Sequence, residues 1–227
     1  FELGARLILA SANMYQGRLQ QAREGLEAVV ARYEPDKHRH LGHQLTQDPA
    51  VGALSFLSWV LWEQGYPDQA LETIEQALEL ARSLDQPYSL GFATTFSAVL
   101  HQLLRICDTC ETWATKAYQL GQERQYPTWM AMGTMVRGWA VASRGDVSQG
   151  IDALNQGLAL WRATGARLAL EYFHALLADI HLMARDRDGG LRALEDHERS
   201  EEEVWWLPEQ HRLRAELLLL SSGSEVE

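Results

Sequence analysis

Apolar residues recur along this chain at the spacing of helix faces. Leu71, Ile74, Leu78 and Ala81 fall at i, i+3, i+7 and i+10, one stripe of an amphipathic helix, and Ile151, Leu154, Leu158 and Trp161 repeat it further on. Leu54, Leu57 and Leu61 make another stripe in the segment before the first of these. No stretch reads convincingly as a period-two strand. The pattern predicts helices over 2–15, 19–33, 50–64, 68–84, 88–104, 108–124, 128–144, 148–164, 168–184, 188–202 and 207–220. The six prolines (Pro35, Pro49, Pro67, Pro87, Pro127 and Pro208) all fall in or beside predicted loops and helix starts. None interrupts a helix interior, where it would cost about 3 kcal/mol.

Residue size repeats every forty positions. Ala70, Cys110, Gly150 and Gly190 form one small column, and Ala77, Ala117 and Gly157 a second. Ser58, Ala98, Gly138 and Ala178 make a third on the preceding helices. Bulky columns run through Phe56, Phe96, Val136 and Leu176, and through Val60, Leu100, Ala140 and Ile180. Small residues have a mechanical reason at such places: where two antiparallel helices cross closely, only a short side chain lets the backbones approach. Gly65-Tyr66-Pro67-Asp68 and Arg144-Gly145-Asp146 supply turn chemistry between the helices of a pair. The step from Val29 to Ala77 is eight residues too long, and the excess is expected as an extra loop over Glu34–Pro49. The fold class predicted is all-α, a solenoid of five antiparallel helix pairs plus a final helix. The units fall at about 1–34, 50–84, 88–124, 128–164 and 168–202, with a last helix at 207–220. Residues 1–220 are expected to form one repeat domain, and 221–227 a polar tail.

Composition narrows the function classes. The chain has 227 residues, with 20 Lys plus Arg against 31 Asp plus Glu, a formal net charge of −11. Phosphate neutralisation needs clustered cations, so nucleic acid is not an expected partner, and anionic lipid is disfavoured in the same way. No apolar run is long enough to span a bilayer. Two cysteines, Cys107 and Cys110, are too few for a secreted disulfide framework, and a cytoplasmic location is the plain expectation. Apolar residues follow directly on Phe1, which reads as a segment of a longer chain.

Motifs that could carry chemistry mostly have structural readings. Gly145 and Gly150 keep a phosphate-loop gap, but Ile151 stands where lysine would be needed. Cys107 and Cys110 form a lone C-x-x-C, and Cys110 fills a small-residue column, so packing outweighs metal or redox chemistry. His38, His40 and His43 lie close together in the extra loop, where zinc or nickel binding competes with a polar loop. Glu171, His174, Asp179 and His181 share a predicted helix without metalloprotease spacing, and surface or hydrogen-bonded roles are expected. Glu201-Glu202-Glu203 reads as a solvated helix end. No cofactor, metal site or catalytic constellation is expected.

The columns resemble the tetratricopeptide repeat in a forty-residue variant. Gly65-Tyr66-Pro67-Asp68-Gln69-Ala70-Leu71 through Ala77-Leu78-Glu79-Leu80 carries the resemblance, with Gly138 at the first-helix packing position. Arg105 departs from it at a turn glycine, Arg137 at a usual leucine, and His197 at a small position. A narrower resemblance rests on Tyr33-Glu34-Pro35-Asp36-Lys37-His38-Arg39, Gln47-Asp48-Pro49, Leu61-Trp62-Glu63-Gln64-Gly65, Arg137-Gly138-Trp139-Ala140 and Thr164-Gly165-Ala166. It is to the C-terminal helical region of bacterial multidomain signalling proteins. These carry a class III adenylate/guanylate cyclase, kinase or regulator domain, then a signal-transduction ATPase, then repeats. The resemblance implies a right-handed superhelical solenoid serving as a non-catalytic interaction scaffold or sensor. Its partners would be a peptide, a protein, other domains of the parent chain or a second copy of itself. The alternative is a small-molecule-sensing repeat domain that regulates an attached cyclase or ATPase.

In that register the first helix of each pair lines the concave wall. The candidate partner-binding residues are then Trp59, Trp62, Phe92, Gln102, Met132, Met135, Trp139, Tyr172 and Asp179. Aromatics and methionines at a concave surface bury large apolar area and suit peptide or helix binding. The competing reading packs the same rings between neighbouring repeats, and the sequence leaves both open.

Overall fold

A computed structural model describes residues 2–195 and 203–220, with the His43 side chain outside that description. The pairs are α1 (Glu2–Tyr15) with α2 (Leu19–Arg32), α5 (Pro49–Glu63) with α6 (Pro67–Ser83), and α7 (Pro87–Leu103) with α8 (Cys107–Arg124). They continue with α9 (Pro127–Ser143) and α10 (Val147–Ala163), then α11 (Leu170–Met183) and α12 (Arg187–Glu195). A last helix, α13 (Leu207–Leu219), packs on α11 and α12. Among the described residues no strand occurs, and the helical-pair solenoid expected from the sequence is the fold observed. One continuous apolar core runs from Leu3 to Leu217.

The forty-residue step is written into the backbone. Gly65 (φ +85°), Arg105 (+59°), Gly145 (+107°) and Arg185 (+57°) are left-handed at the turn within each pair. Asp85 (+51°), Gln125 (+57°) and Gly165 (+80°) are left-handed at the turn between pairs. The Gly65 turn caps α5 in the Schellman manner: Tyr66 N donates to Leu61 O at 2.9 Å and Gly65 N to Trp62 O at 2.9 Å. Ile106 and Arg105 repeat the two bonds on His101 O and Gln102 O, as do Asp186 and Arg185 on His181 O and Leu182 O.

The small columns meet face to face. A Cβ on Gly150 would stand 2.8 Å from Gly138 O, and one on Gly138 would stand 3.0 Å from Gly150 O, so two columns abut across the α9/α10 pair. Gly133 lies equally close to α8, where a Cβ would meet Ala114 O and Tyr118 N, each at 2.8 Å. Cys110 is fully buried in its column, and burial pushes its thiol pKa up. Both cysteines are free. Arg137, which stands at a usual leucine position, lays its guanidinium over the Tyr118 ring at 5.6 Å.

Three expectations change. The extra loop over 34–49 contains two single-turn helices, α3 (Pro35–His38) and α4 (Leu41–Gln44). Pro35 presets the first, and the segment is clamped at its ends. The Tyr33 hydroxyl donates to Asp48 Oδ2 at 2.6 Å, while the other Asp48 oxygen accepts from Ala50 N and Val51 N and caps α5. Gln86 Nε2 donates to Arg39 O at 2.8 Å, pinning the loop to the next pair. Second, α11 starts at Leu170, not 168, because Ala169 is left-handed (φ +63°). Third, Glu203 is not solvated: it is buried, and its carboxylate accepts from Ala169 N at 3.0 Å. His197, Glu201 and Glu202 lie outside the described residues, as does the predicted helical stretch 196–202.

Candidate functional site

The concave wall is aromatic, and the chain itself lies against it. Residues 203–206 lie against the end of the first pair's α1. Val204 N and Trp205 N both donate to Tyr15 O, at 2.9 and 3.2 Å, where the end of α1 leaves a carbonyl without a helical partner. The Trp205 indole stacks on Trp59 with centroids 5.9 Å apart and planes 6° apart. It also stacks on Tyr172 at 5.9 Å and meets Tyr15 edge-on at 5.6 Å. Trp206 stacks on Trp62 at 6.2 Å and meets Tyr172 edge-on at 5.2 Å. Trp205 and Trp206 are only 6% and 7% exposed, so both rings are fully engaged.

Behind this segment the wall is organised ring on ring. Trp59 stacks on Phe96 at 4.0 Å, and its Nε1 donates to Phe96 O at 3.1 Å. Phe96 stacks on Phe92 at 4.3 Å, and Phe92 meets Trp129 edge-on at 5.7 Å. The alternation of stacked and perpendicular pairs matches the quadrupole preference of aromatic rings. Burial holds the hydroxyls of Tyr15 and Tyr172 in the neutral form, since both are pushed well above the usual tyrosine range.

A polar cluster closes one end. The Tyr172 hydroxyl donates to Gln102 Oε1 at 2.8 Å, linking α11 to α7. Asp179 accepts from Arg105 Nη1 at 2.6 Å and from Trp139 Nε1 at 2.8 Å. The Arg105 guanidinium sits over the Trp139 ring at 5.4 Å and reaches Glu209 of α13 at 3.9 Å. This explains an arginine at a left-handed turn position that suits glycine. Its side chain spans the concave face to the last pair, and the contact offsets the backbone cost.

The nine candidate residues therefore separate. Trp59, Trp62, Phe92, Met132 and Tyr172 belong to the aromatic wall. Gln102, Trp139 and Asp179 belong to the polar closure. Met135 joins neither: it is fully buried against Gly157 inside the α9/α10 pair. The rings of the stripe are buried against one another, as the packing reading expected. Sequence reasoning missed Trp205, Trp206, Glu203 and the bridging role of Arg105. The available signal was a pair of adjacent tryptophans that belongs to no column of the repeat.

The remaining candidates have ordinary partners. His174 Nδ1 is 3.0 Å from Ala193 O, His181 Nδ1 is 2.9 Å from Asp186 Oδ2, and His38 Nδ1 accepts from Glu34 N at 2.9 Å. Among the described residues no group of three or more His, Cys, Asp or Glu is placed to hold a metal ion. No described helix is long and apolar enough to cross a membrane.

No protein-family model matches this chain, and no curated protein matches it. Among solved structures it is similar to a crystal structure of nearly identical TPR-like repeats, from a kinesin light chain-like protein of Podosopora anserina. The two agree with a TM-score of 0.53 at 16% identity, over 100% of this chain and 98% of that one. Identity that low speaks for the fold alone: these are TPR-like helical repeats.

Proposed function

We propose that the chain is a non-catalytic interaction scaffold or sensor region of a larger, cytoplasmic bacterial signalling protein. It receives an extended peptide or partner segment on its concave aromatic wall. The observation that carries this reading is the segment 203–206, which occupies the wall as a bound peptide would. Its main-chain N–H groups donate to Tyr15 O, its acidic side chain takes Ala169 N, and two adjacent rings stack on Trp59, Trp62 and Tyr172. Main-chain bonds supply affinity and ring positions supply selectivity. A partner carrying an acidic residue followed by paired aromatics displaces 203–206 and takes its place. The internal segment competes at the high effective concentration of a tethered ligand, so the resting scaffold binds in trans weakly. In the parent protein, displacement would bias an attached effector only as far as the two states differ in affinity for the partner.

The test uses a labelled synthetic peptide, Glu-Val-Trp-Trp-Leu, followed by fluorescence anisotropy. Intact protein should bind it weakly. The double variant Trp205→Ala/Trp206→Ala should bind it at least about tenfold more tightly, and adding Trp59→Ala should abolish the gain. Equal affinity for intact protein and double variant would refute the displacement.

A second reading, sensing of a small molecule, is supported by one specific feature. An apolar cavity of about 180 Å³ lies behind Trp205 in the same wall.

A further inference from the structure

That cavity is bounded by rings from almost the whole length of the chain: Tyr15, Phe92, Trp129, Trp161, Tyr172 and Trp205 among them. No Asp, Glu, Lys, Arg or His lines it. Glu203, the nearest acidic group in the occupying segment, has its carboxylate on Ala169 N. We infer that this cavity is a binding site for a small uncharged aromatic compound of one or two rings. The inference rests on the small-molecule reading and names its ligand class.

Size sets the first limit. An engineered apolar cavity of about 150 Å³ takes up benzene and stays dry without it. A space of 180 Å³ holds one flat ring system and excludes a helix or a folded partner. A cation would be attracted by the ring faces, but it would lose its hydration with no carboxylate in the wall to replace it. An aliphatic molecule of equal volume would fill the space without using the alternating edges and faces of the wall. Phe92 and Trp129 stand at 87°, and Tyr172 and Trp205 at 29°, so an aromatic guest finds both perpendicular and stacked partners. The wall also holds three indole N–H groups, of Trp129, Trp161 and Trp205, that are buried without a hydrogen-bond partner. A ring with an accepting π-face or oxygen suits such a wall better than a saturated one.

The experiment measures the melting temperature of the full chain by circular dichroism with millimolar indole, cyclohexanol or tetramethylammonium chloride, and follows each by calorimetric titration. Indole should raise the melting temperature by several degrees and saturate, with the other two shifting it less than a third as far. Leu168 is on the cavity rim and 45% exposed, so Leu168→Trp can block the mouth without disturbing the core. That variant should lose the indole shift. Selectivity among the three probes in the unmutated chain decides the ligand class whether or not the variant folds. No saturable indole effect, or an equal response to cyclohexanol or tetramethylammonium, overturns the inference. Cyclohexanol binding as well as indole would leave small-molecule sensing standing with the wrong ligand class. No response to any probe, with the pentapeptide still bound, would leave only the peptide reading.

Discussion

The seams between consecutive helices and the concave wall are both close-packed, yet they are built on opposite principles. At the seam, contact is made by removing side chains: Gly133, Gly138, Gly150 and Gly157 bring helix backbones together at distances no Cβ could share. At the wall, contact is made by adding them: Trp59, Phe92, Phe96, Tyr172, Trp205 and Trp206 fill the superhelix with rings. The seam is repeated in each unit and local in sequence. The wall is assembled once, from distant units, and completed by a segment that belongs to none of them. The seam therefore recurs with the fold, while the wall depends on contacts between units far apart in the chain.

The sharpest way to break this distinction compares two buried tryptophans. Trp139 is 1% exposed and tied to Asp179 inside the repeats, so Trp139→Ala should cost about 3–5 kcal/mol in chemical denaturation. Trp205 is nearly as buried, but it belongs to no repeat and is held by ring contacts to the wall. Trp205→Ala should cost only about 1–2 kcal/mol. Equal losses would make 203–206 an inseparable part of the core. Next, Gly133→Ala should cost about 3 kcal/mol, because its new methyl group meets the backbone atoms Ala114 O and Tyr118 N and no side chain can yield. A loss under half a kcal/mol, within the range of ordinary surface changes, would contradict the seam account.

Protonation tests the wall at its edge. Glu63, at the end of α5, has its carboxyl pKa pushed from 4.5 to about 8 by burial, and its Oε1 has no partner. Its protonated form is favoured in the folded protein, so its stabilising contribution is complete below about pH 4.5 and lost as pH rises through 8. Glu63→Gln should remove the fall in stability across that window, read as the difference between variant and parent melting curves. Parallel curves would exclude it. The smallest effect separates two equivalent turns. Arg185→Gly relieves a left-handed arginine and should stabilise by about 0.5–1 kcal/mol. Arg105→Gly should gain nothing, since it also loses the contacts with Asp179 and the Trp139 ring.

Legibility in the sequence follows the same division. The seam could be read because small residues recur at a fixed step, and each column has a steric meaning in its own pair. The turns could be read from the register at Gly65, Arg105, Gly145 and Arg185, but not why arginine stands at Arg105, where a side-chain bridge to Asp179 takes the place of the usual glycine. The wall could be read only in part. First-helix positions such as Trp59 and Tyr172 follow from the repeat register. What covers them is set by tertiary contact between residues far apart in the chain, and no local pattern encodes that. Glu203 looked like the end of an acidic helix because charge runs usually face water. Its burial follows from the two tryptophans after it, whose rings carry it onto Ala169 N. Met135 was misplaced because helical periodicity cannot separate a wall residue from one turned into the seam beside Gly157.

Amide hydrogen exchange at Val204 and Trp205 tests the occupied wall most directly. Both N–H groups donate to Tyr15 O beneath stacked rings, so they should exchange orders of magnitude more slowly than an unstructured peptide. Trp59→Ala should bring them toward the unprotected rate while the amides of α9 and α10 stay slow. Exchange of both amides at the unprotected rate in the parent protein would show that the wall stands open, and the account would fall.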